Sequence, residues 1–325
     1  MLTDLHSILY LYKKPSLNSI FRYIKDFYKG AFNPFYFLLI LVITGSLIYL
    51  NYWHGLETLY VNGGNTKWRH FAGYFLLYFT PFAAAFLLQA IFFKNCSYFK
   101  APWFWVILFL APAFFAFRVN FDFQETLFQK IWSGDELQFW TQSLNWVVRV
   151  FVVLIPVYII WRIKDRRYQP VYGSKKLNNN KPYLLMLLIM LPLIAAASTQ
   201  SDFLNMYPKA KFLTHLDLHP KQLHYVIYEL CYGFDFVSIE FFFRGFIILS
   251  LAKICGPRCI IPMACFYCTI HFGKPLGEAI SSFWGGMLLG IVSFNTKSIR
   301  GGLMVHLGIA WLMELGGWIG MFIKG

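Results

Sequence analysis

Between residues 238 and 246 the chain reads SIEFFFRGF, with Glu240 and Arg244 set among aromatic residues inside an apolar run long enough to cross a bilayer. A charge at the bilayer centre costs about 2.5–3.5 kcal/mol on insertion scales, so such residues face a bundle interior or a wet cavity and are functional-site candidates. Glu240 and Arg244 stand at i, i+4 with the acid first, the favourable order for a helical ion pair. The pair could simply neutralise itself and pin one helix to its neighbours. It could also hold a carboxylate ready for chemistry. The same run carries Glu229 and Asp235; His271 ends the next apolar run, Glu278 starts the one after, and His306 and Glu314 lie inside the last. Two imidazoles and a carboxylate can hold a divalent metal or polarise a water directly. Glu240, His271 and His306 are therefore the candidate catalytic residues and the candidate ligands of a divalent metal, with zinc as one choice. Glu278, seven residues after His271, could orient that imidazole as a hydrogen-bond acceptor or cap its own helix. Glu229 and Glu240 face the same way on a helix but stand about 16 Å apart along its axis. They could share a metal only if the helix broke at Gly233.

The elements that would position these side chains are apolar runs near 34–53, 71–93, 102–118, 144–161, 183–198, 224–252, 260–272, 278–294 and 302–323. A helix needs about 20 residues to cross the hydrocarbon. The run at 260–272 is short and would be tilted, sunk from one side or extended by its flanks. The expectation is an all-α polytopic membrane bundle with about eight to nine transmembrane segments. Its organisation would be a cytoplasmic segment 1–33, N-terminal membrane helices over 34–161, a basic cytoplasmic loop over 162–182 and C-terminal membrane helices over 183–325. Ionisable residues inside the runs are sparse before the loop, with Arg149 the clear case, and frequent after it, so the chemistry belongs to the C-terminal half.

Composition agrees with a membrane protein: 58% of residues are hydrophobic and only 14% charged, against about 25% charged in ordinary soluble chains. That is too little charge to cover a water-facing surface. The net charge of +14 would suggest nucleic acid in a soluble protein. Here the basic residues cluster between apolar runs, as topology signals do, so lipid and not nucleic acid is the expected partner. Five lysines and arginines precede residue 34, including Lys13 and Lys14, and seven lie in 162–182, whereas 119–143 holds only Lys130 and is net acidic. This predicts a cytoplasmic N-terminus, in the plasma (inner) membrane if the chain is bacterial. The first 33 residues lack the short apolar core and cleavage site of a signal peptide. They could lie amphipathically on the membrane face. Cys265, Cys268 and His271, spaced i, i+3, i+6, invite a zinc reading, but structural zinc sites use paired knuckles from separate turns, and buried free thiols are the default.

The sequences IEFFFRGF, FYCTIHFGKPLGEAISSFWGGMLLG and RGGLMVHLGIAW resemble, in order and spacing, the three motifs of the CPBP family of intramembrane proteases, which includes the CAAX prenyl endoproteases and Abi proteins. The resemblance covers roughly 220–323. It implies an intramembrane metalloendopeptidase that hydrolyses a peptide or protein substrate at the membrane. Glu240 would be base or ligand, His271 would help activate water, and His306 would be ligand or oxyanion donor, with Arg244, Glu278 and Tyr267 in support. Two polar positions of the family pattern are apolar here, Ile239 and Ala310, and Tyr267 replaces a phenylalanine. An active site would then need Glu240 as base, or Asp235 or Glu229 moved in through a kink; Glu240 points about 100° away from residue 239, which a helix distortion at Gly233 or Gly245 could correct. The alternative is a catalytically impaired scaffold or immunity-type binding protein on the same fold. A transporter using these residues as an ion path is a third reading, which lacks an inverted repeat.

Overall fold

The computed structural model describes residues 17–63, 66–94, 96–176 and 179–324, with the side chains at 17 and 18 left aside. The first sixteen residues, with Lys13 and Lys14, lie outside the described residues. The chain is all-α. The helices are α1 Leu17–Gly30, α2 Pro34–His54, α3 Lys67–Phe92, α4 Pro102–Asn120, α5 Phe123–Ile131, α6 Gly134–Ile160, α7 Lys181–Ala197, α8 Ser201–Met206, α9 Lys221–Glu240, α10 Leu249–Cys255, α11 Ile260–Thr269, α12 Leu276–Thr296 and α13 Arg300–Lys324. Among the described residues the only strand-like pairing is an isolated antiparallel bridge between Ser174 and Ser298.

Local chemistry sets many of the ends. At α2 the Asn33 side chain accepts from the amides of Phe35 and Tyr36, Pro34 occupies the first turn, and Gly55 closes the helix with φ 62°, a left-handed cap that glycine adopts without steric cost. Pro81, Pro112, Pro156 and Pro192 lie inside α3, α4, α6 and α7, where packed membrane helices tolerate them because neighbours satisfy the freed carbonyls. α1 buries Ile20 and Phe27 along one stripe and leaves Phe21 outside.

Six helical stretches are long and apolar enough to cross a membrane: Pro34–His54, Lys67–Phe92, Pro102–Ile131, Gly134–Asp165, Leu276–Thr296 and Arg300–Lys324. Their outer faces carry large exposed apolar side chains such as Leu38, Val42, Leu87, Ile91 and Ile155, the surface that lipid requires. The other three apolar runs are also helical but differ. Lys181–Ala197 is a shorter apolar helix. The segment around Glu240 runs without interruption from Lys221 to Cys255, but through six charged residues, Lys221, Glu229, Asp235, Glu240, Arg244 and Lys253. Helix α11 has only ten residues, all buried, so it forms the middle of the bundle. The main packing pairs are α6 with α9, α11 with α12 and with α3, α3 with α4, and α7 with α13. Phe242, Phe243, Phe246, Phe266, Phe115 and Phe82 meet at the centre in tilted and edge-to-face pairs.

Candidate functional site

Glu240 ends the regular part of α9. From Phe241 to Ile248 the helix widens into π turns before α10 resumes. Such insertions recur at functional sites because they re-aim side chains within an otherwise continuous helix. The widened stretch contains Gly245, one of the two positions where the sequence called for a distortion. Gly233 sits in unbroken helix against Trp311 and Leu307. Gly245 has a packing reason to be glycine: a Cβ there would stand 3.1 Å from the backbone oxygen of Tyr172, which covers it.

Glu240 and Arg244 are both fully enclosed, with Arg244 Nη1 3.0 Å from Glu240 Oε1. The same carboxylate oxygen lies 2.9 Å from His306 Nδ1. A carboxylate can only accept, so Nδ1–H of His306 donates and its Nε2 is left as the acceptor. Tyr267 Oη stands 3.2 Å from that Nε2 and fills the donor role. The Tyr267 carbonyl in turn lies 2.9 Å from His271 Nδ1, which must donate, leaving the Nε2 lone pair of His271 available in the neutral ring. The Arg244 guanidinium lies 4.0 Å above the Tyr267 ring. One tyrosine thus joins all three motifs through its hydroxyl, its carbonyl and its ring face. A phenylalanine there would keep the carbonyl and ring contacts and lose the first.

The structure therefore brings Glu240, Arg244, Tyr267 and His306 together directly and attaches His271 through Tyr267. Glu278 is engaged elsewhere: its carboxylate takes Lys274 Nζ at 2.6 Å and the Tyr207 hydroxyl at 2.9 Å, with no hydrogen bond to His271. Neither of the other helix-α9 acids substitutes for Glu240. Asp235 is bound by Arg118 at 2.5 and 2.6 Å, and Glu229 lies beside Glu314, whose carboxylate accepts the amides of Lys209 and Ala210.

The donors do not surround a common point. Among the described residues no group of three His, Cys, Asp or Glu side chains is placed to hold a metal ion. Glu240, His306, Tyr267 and His271 follow one another along a chain, and Arg244 already sets a positive charge against the carboxylate. The six cysteines are free thiols; Cys265 meets the Thr44 hydroxyl and Cys268 the Ala279 carbonyl.

Several contributors were missed in the sequence. A Cβ on Gly302 would stand 2.6 Å from Glu240 Oε2, so the carboxylate needs the glycine beside it; the RGG that opens the third motif was the available signal. Phe236 packs edge-on against the His306 ring at 4.6 Å, one turn before Glu240. Asn51 and Tyr52, at the end of α2, hold the turn after His271 through the carbonyls of Phe272 and Lys274. No local pattern announces that contact across more than 200 residues.

Residues 225–312 match the model of the Rce1-like type II CAAX prenyl endopeptidase family. The chain thus carries a domain of that family there, within the span where the three motifs were read. Neither the curated proteins nor the solved structures gave a match.

Proposed function

Starting from an Rce1-like CAAX prenyl endopeptidase domain at residues 225–312, we propose that this protein is a multi-pass membrane endopeptidase whose water is activated by the Glu240–His306 pair. The observation that carries the reading is the 2.9 Å contact from His306 Nδ1 to Glu240 Oε1. A carboxylate behind the far nitrogen of an imidazole fixes its tautomer and stabilises the imidazolium that forms when the near nitrogen takes a proton. His306 is the more accessible partner, with 14% of its side chain exposed against none for Glu240. In the scheme, His306 Nε2 exchanges the Tyr267 hydroxyl for a water and takes its proton as the oxygen bonds to the peptide carbon. The Tyr267 O–H is then free to donate to the developing oxyanion. The C–N bond breaks as the proton passes to the leaving amine, directly from His306 or by way of His271. Arg244 holds the carboxylate through charge and the Tyr267 ring through its flat face. No step is routed through a metal. The divalent metal expected on Glu240, His271 and His306 would require His271 to swing away from the Tyr267 carbonyl.

The substrate in this reading is a peptide or protein presented at the membrane, with a prenylated CAAX peptide as the first probe. Eight or nine of the apolar helices would cross the bilayer, with the N-terminus cytoplasmic. The complete enclosure of Glu240 and its contact with Arg244 favour a second reading, a non-catalytic scaffold in which this cluster is only a tie between helices.

The test uses full-length protein in lipid nanodiscs with prenylated and unprenylated CAAX peptides, read by mass spectrometry. Cleavage by the wild type that falls at least a hundredfold in His306→Gln, with unchanged thermal unfolding, is expected. Equal turnover by wild type and His306→Gln would overturn the assignment. Absence of turnover across a panel of membrane peptides would move the weight to the scaffold.

A further inference from the structure

The basic stretch that follows α6 does not hang free. It folds into a concave cup of about 480 Å3 lined by Arg162, Ile163, Lys164, Arg166, Arg167 and Tyr168. Its backbone is fixed by hydrogen bonds from the amide of Arg166 to the Trp161 carbonyl (2.8 Å) and from the amides of Tyr168 and Gln169 to the Asp165 carbonyl (2.9 and 3.0 Å). The Trp161 indole N–H donates to the carbonyl of Gln169 at 3.0 Å. Lys164 rests its ammonium 5.4 Å from the Trp103 ring. Among the described residues, none of the four cationic side chains is paired with an acid, and all four are exposed. The one carboxylate in the stretch, Asp165, is turned inward. It accepts from the Tyr172 hydroxyl, from Lys253 Nζ at 3.0 Å and from Ser250 at 3.4 Å. The fold therefore withdraws the negative charge and leaves four cations around one concavity.

We propose that this cup binds the phosphate-bearing headgroup of an anionic membrane lipid. Three guanidinium groups offer the planar, paired N–H donors that match phosphate oxygens. The location selects a lipid over a dissolved anion. The cup lies at the end of the spanning stretch Gly134–Asp165, and its rim carries the exposed apolar side chains of Ile163 and Tyr168, 74% and 75% accessible. These would sit in the interfacial layer where amphipathic aromatics and basic residues collect. The inference does not depend on peptide hydrolysis. It has a structural consequence for the site, because the inward face of the same stretch is latched to it: Tyr172 seals Gly245, the residue after Arg244.

The experiment is thermal unfolding of the full-length protein in a neutral detergent, titrated with dioctanoyl phosphatidylglycerol, dioctanoyl phosphatidylcholine or inorganic phosphate. A saturable rise in the midpoint with phosphatidylglycerol alone is expected. Each basic side chain near an anionic lipid surface contributes about 1 kcal/mol, so Arg162→Gln/Arg166→Gln/Arg167→Gln should weaken the titration on the order of a hundredfold. Lys130→Gln/Lys176→Gln should leave it unchanged. An equal rise in the triple variant, or no rise with the wild type, would overturn the cup as the site. An equal rise with inorganic phosphate would overturn the lipid and assign a soluble anion. If the glutamine variant does not yield a monodisperse protein, Arg162→Lys/Arg166→Lys/Arg167→Lys keeps the charge and removes the paired donors. It should bind severalfold more weakly, and an unchanged titration would refute guanidinium recognition of the phosphate.

Discussion

Helix α9 carries two buried ion pairs little more than one turn apart, and they are built differently. At Asp235, one Arg118 nitrogen reaches both carboxylate oxygens, and Ser238 adds a contact at 3.3 Å. The carboxylate is used up, and the pair ties α4 to α9. At Glu240, Arg244 and His306 share one oxygen, while the other has no hydrogen-bond partner among the described residues. That second cluster continues through the partly exposed His306 imidazole to the Tyr267 hydroxyl, and from the Tyr267 carbonyl to the buried His271. A closed pair holds helices together, whereas an ion pair with an imidazole in series can move a proton. The difference shows that charge inside a membrane segment is not itself a sign of chemistry; what decides is whether the partner can titrate and whether it is itself within reach from outside, as His306 is.

Removing the two acids separately should have opposite consequences. Glu240→Gln should abolish peptide hydrolysis by about 10³-fold or more, the scale of losing an activated general base, as measured by turnover of the best-cleaved peptide. Asp235→Asn should instead destabilise the protein by about 3–5 kcal/mol, because it strands Arg118 as an uncompensated buried charge. Its turnover per folded molecule should stay within severalfold of wild type. The double change Arg118→Met/Asp235→Leu should recover most of the lost stability, since an apolar replacement of a buried pair is often neutral. Loss of hydrolysis in that double variant would show that the closed pair also serves the site.

A smaller effect is expected at Gly302. In Gly302→Ala the new methyl would stand 2.6 Å from Glu240 Oε2, closer than any ordinary contact, so the carboxylate must shift. Turnover should fall about 10²-fold, the cost of an ångström-scale misplacement, with the unfolding midpoint moving far less. Tyr267→Phe removes only the hydroxyl facing His306. Turnover should drop about tenfold and its pH profile should change shape, while stability changes by about 1 kcal/mol, the net worth of one hydrogen bond. Smallest of all is the response to chelation. If His306 is the base, treatment with a strong chelator should change turnover less than twofold. A loss restored by zinc would replace the imidazole scheme with a metal held by Glu240, His271 and His306.

Much of the fold was legible because hydropathy is local. Each of the nine apolar runs is a helix, and the three motifs lie where the order of the runs put them. What hydropathy could not say is whether an apolar helix faces lipid or protein, because both environments reward the same side chains. Helix α11 and the exposed stripe of α2 read alike as sequences, yet one is wholly buried and the other is largely open. The same limit applies to Arg118. It read as the end of a run, and only the packing of α4 on α9 makes it the partner of Asp235.

By itself the sequence determined an all-α chain with too little charge for a water-facing surface, and it singled out Glu240, Arg244, His271 and His306, because ionisable groups in apolar runs need a compensating partner. The tertiary structure alone decided who the partners are. Glu240 shares one oxygen between Arg244 and His306, Tyr267 rather than Glu278 orients His271, and Asn51 and Tyr52 brace the turn from the far end of the chain. Hydrogen bonds act over about 3 Å, and spacing along a helix cannot say which atoms from separate helices will come that close.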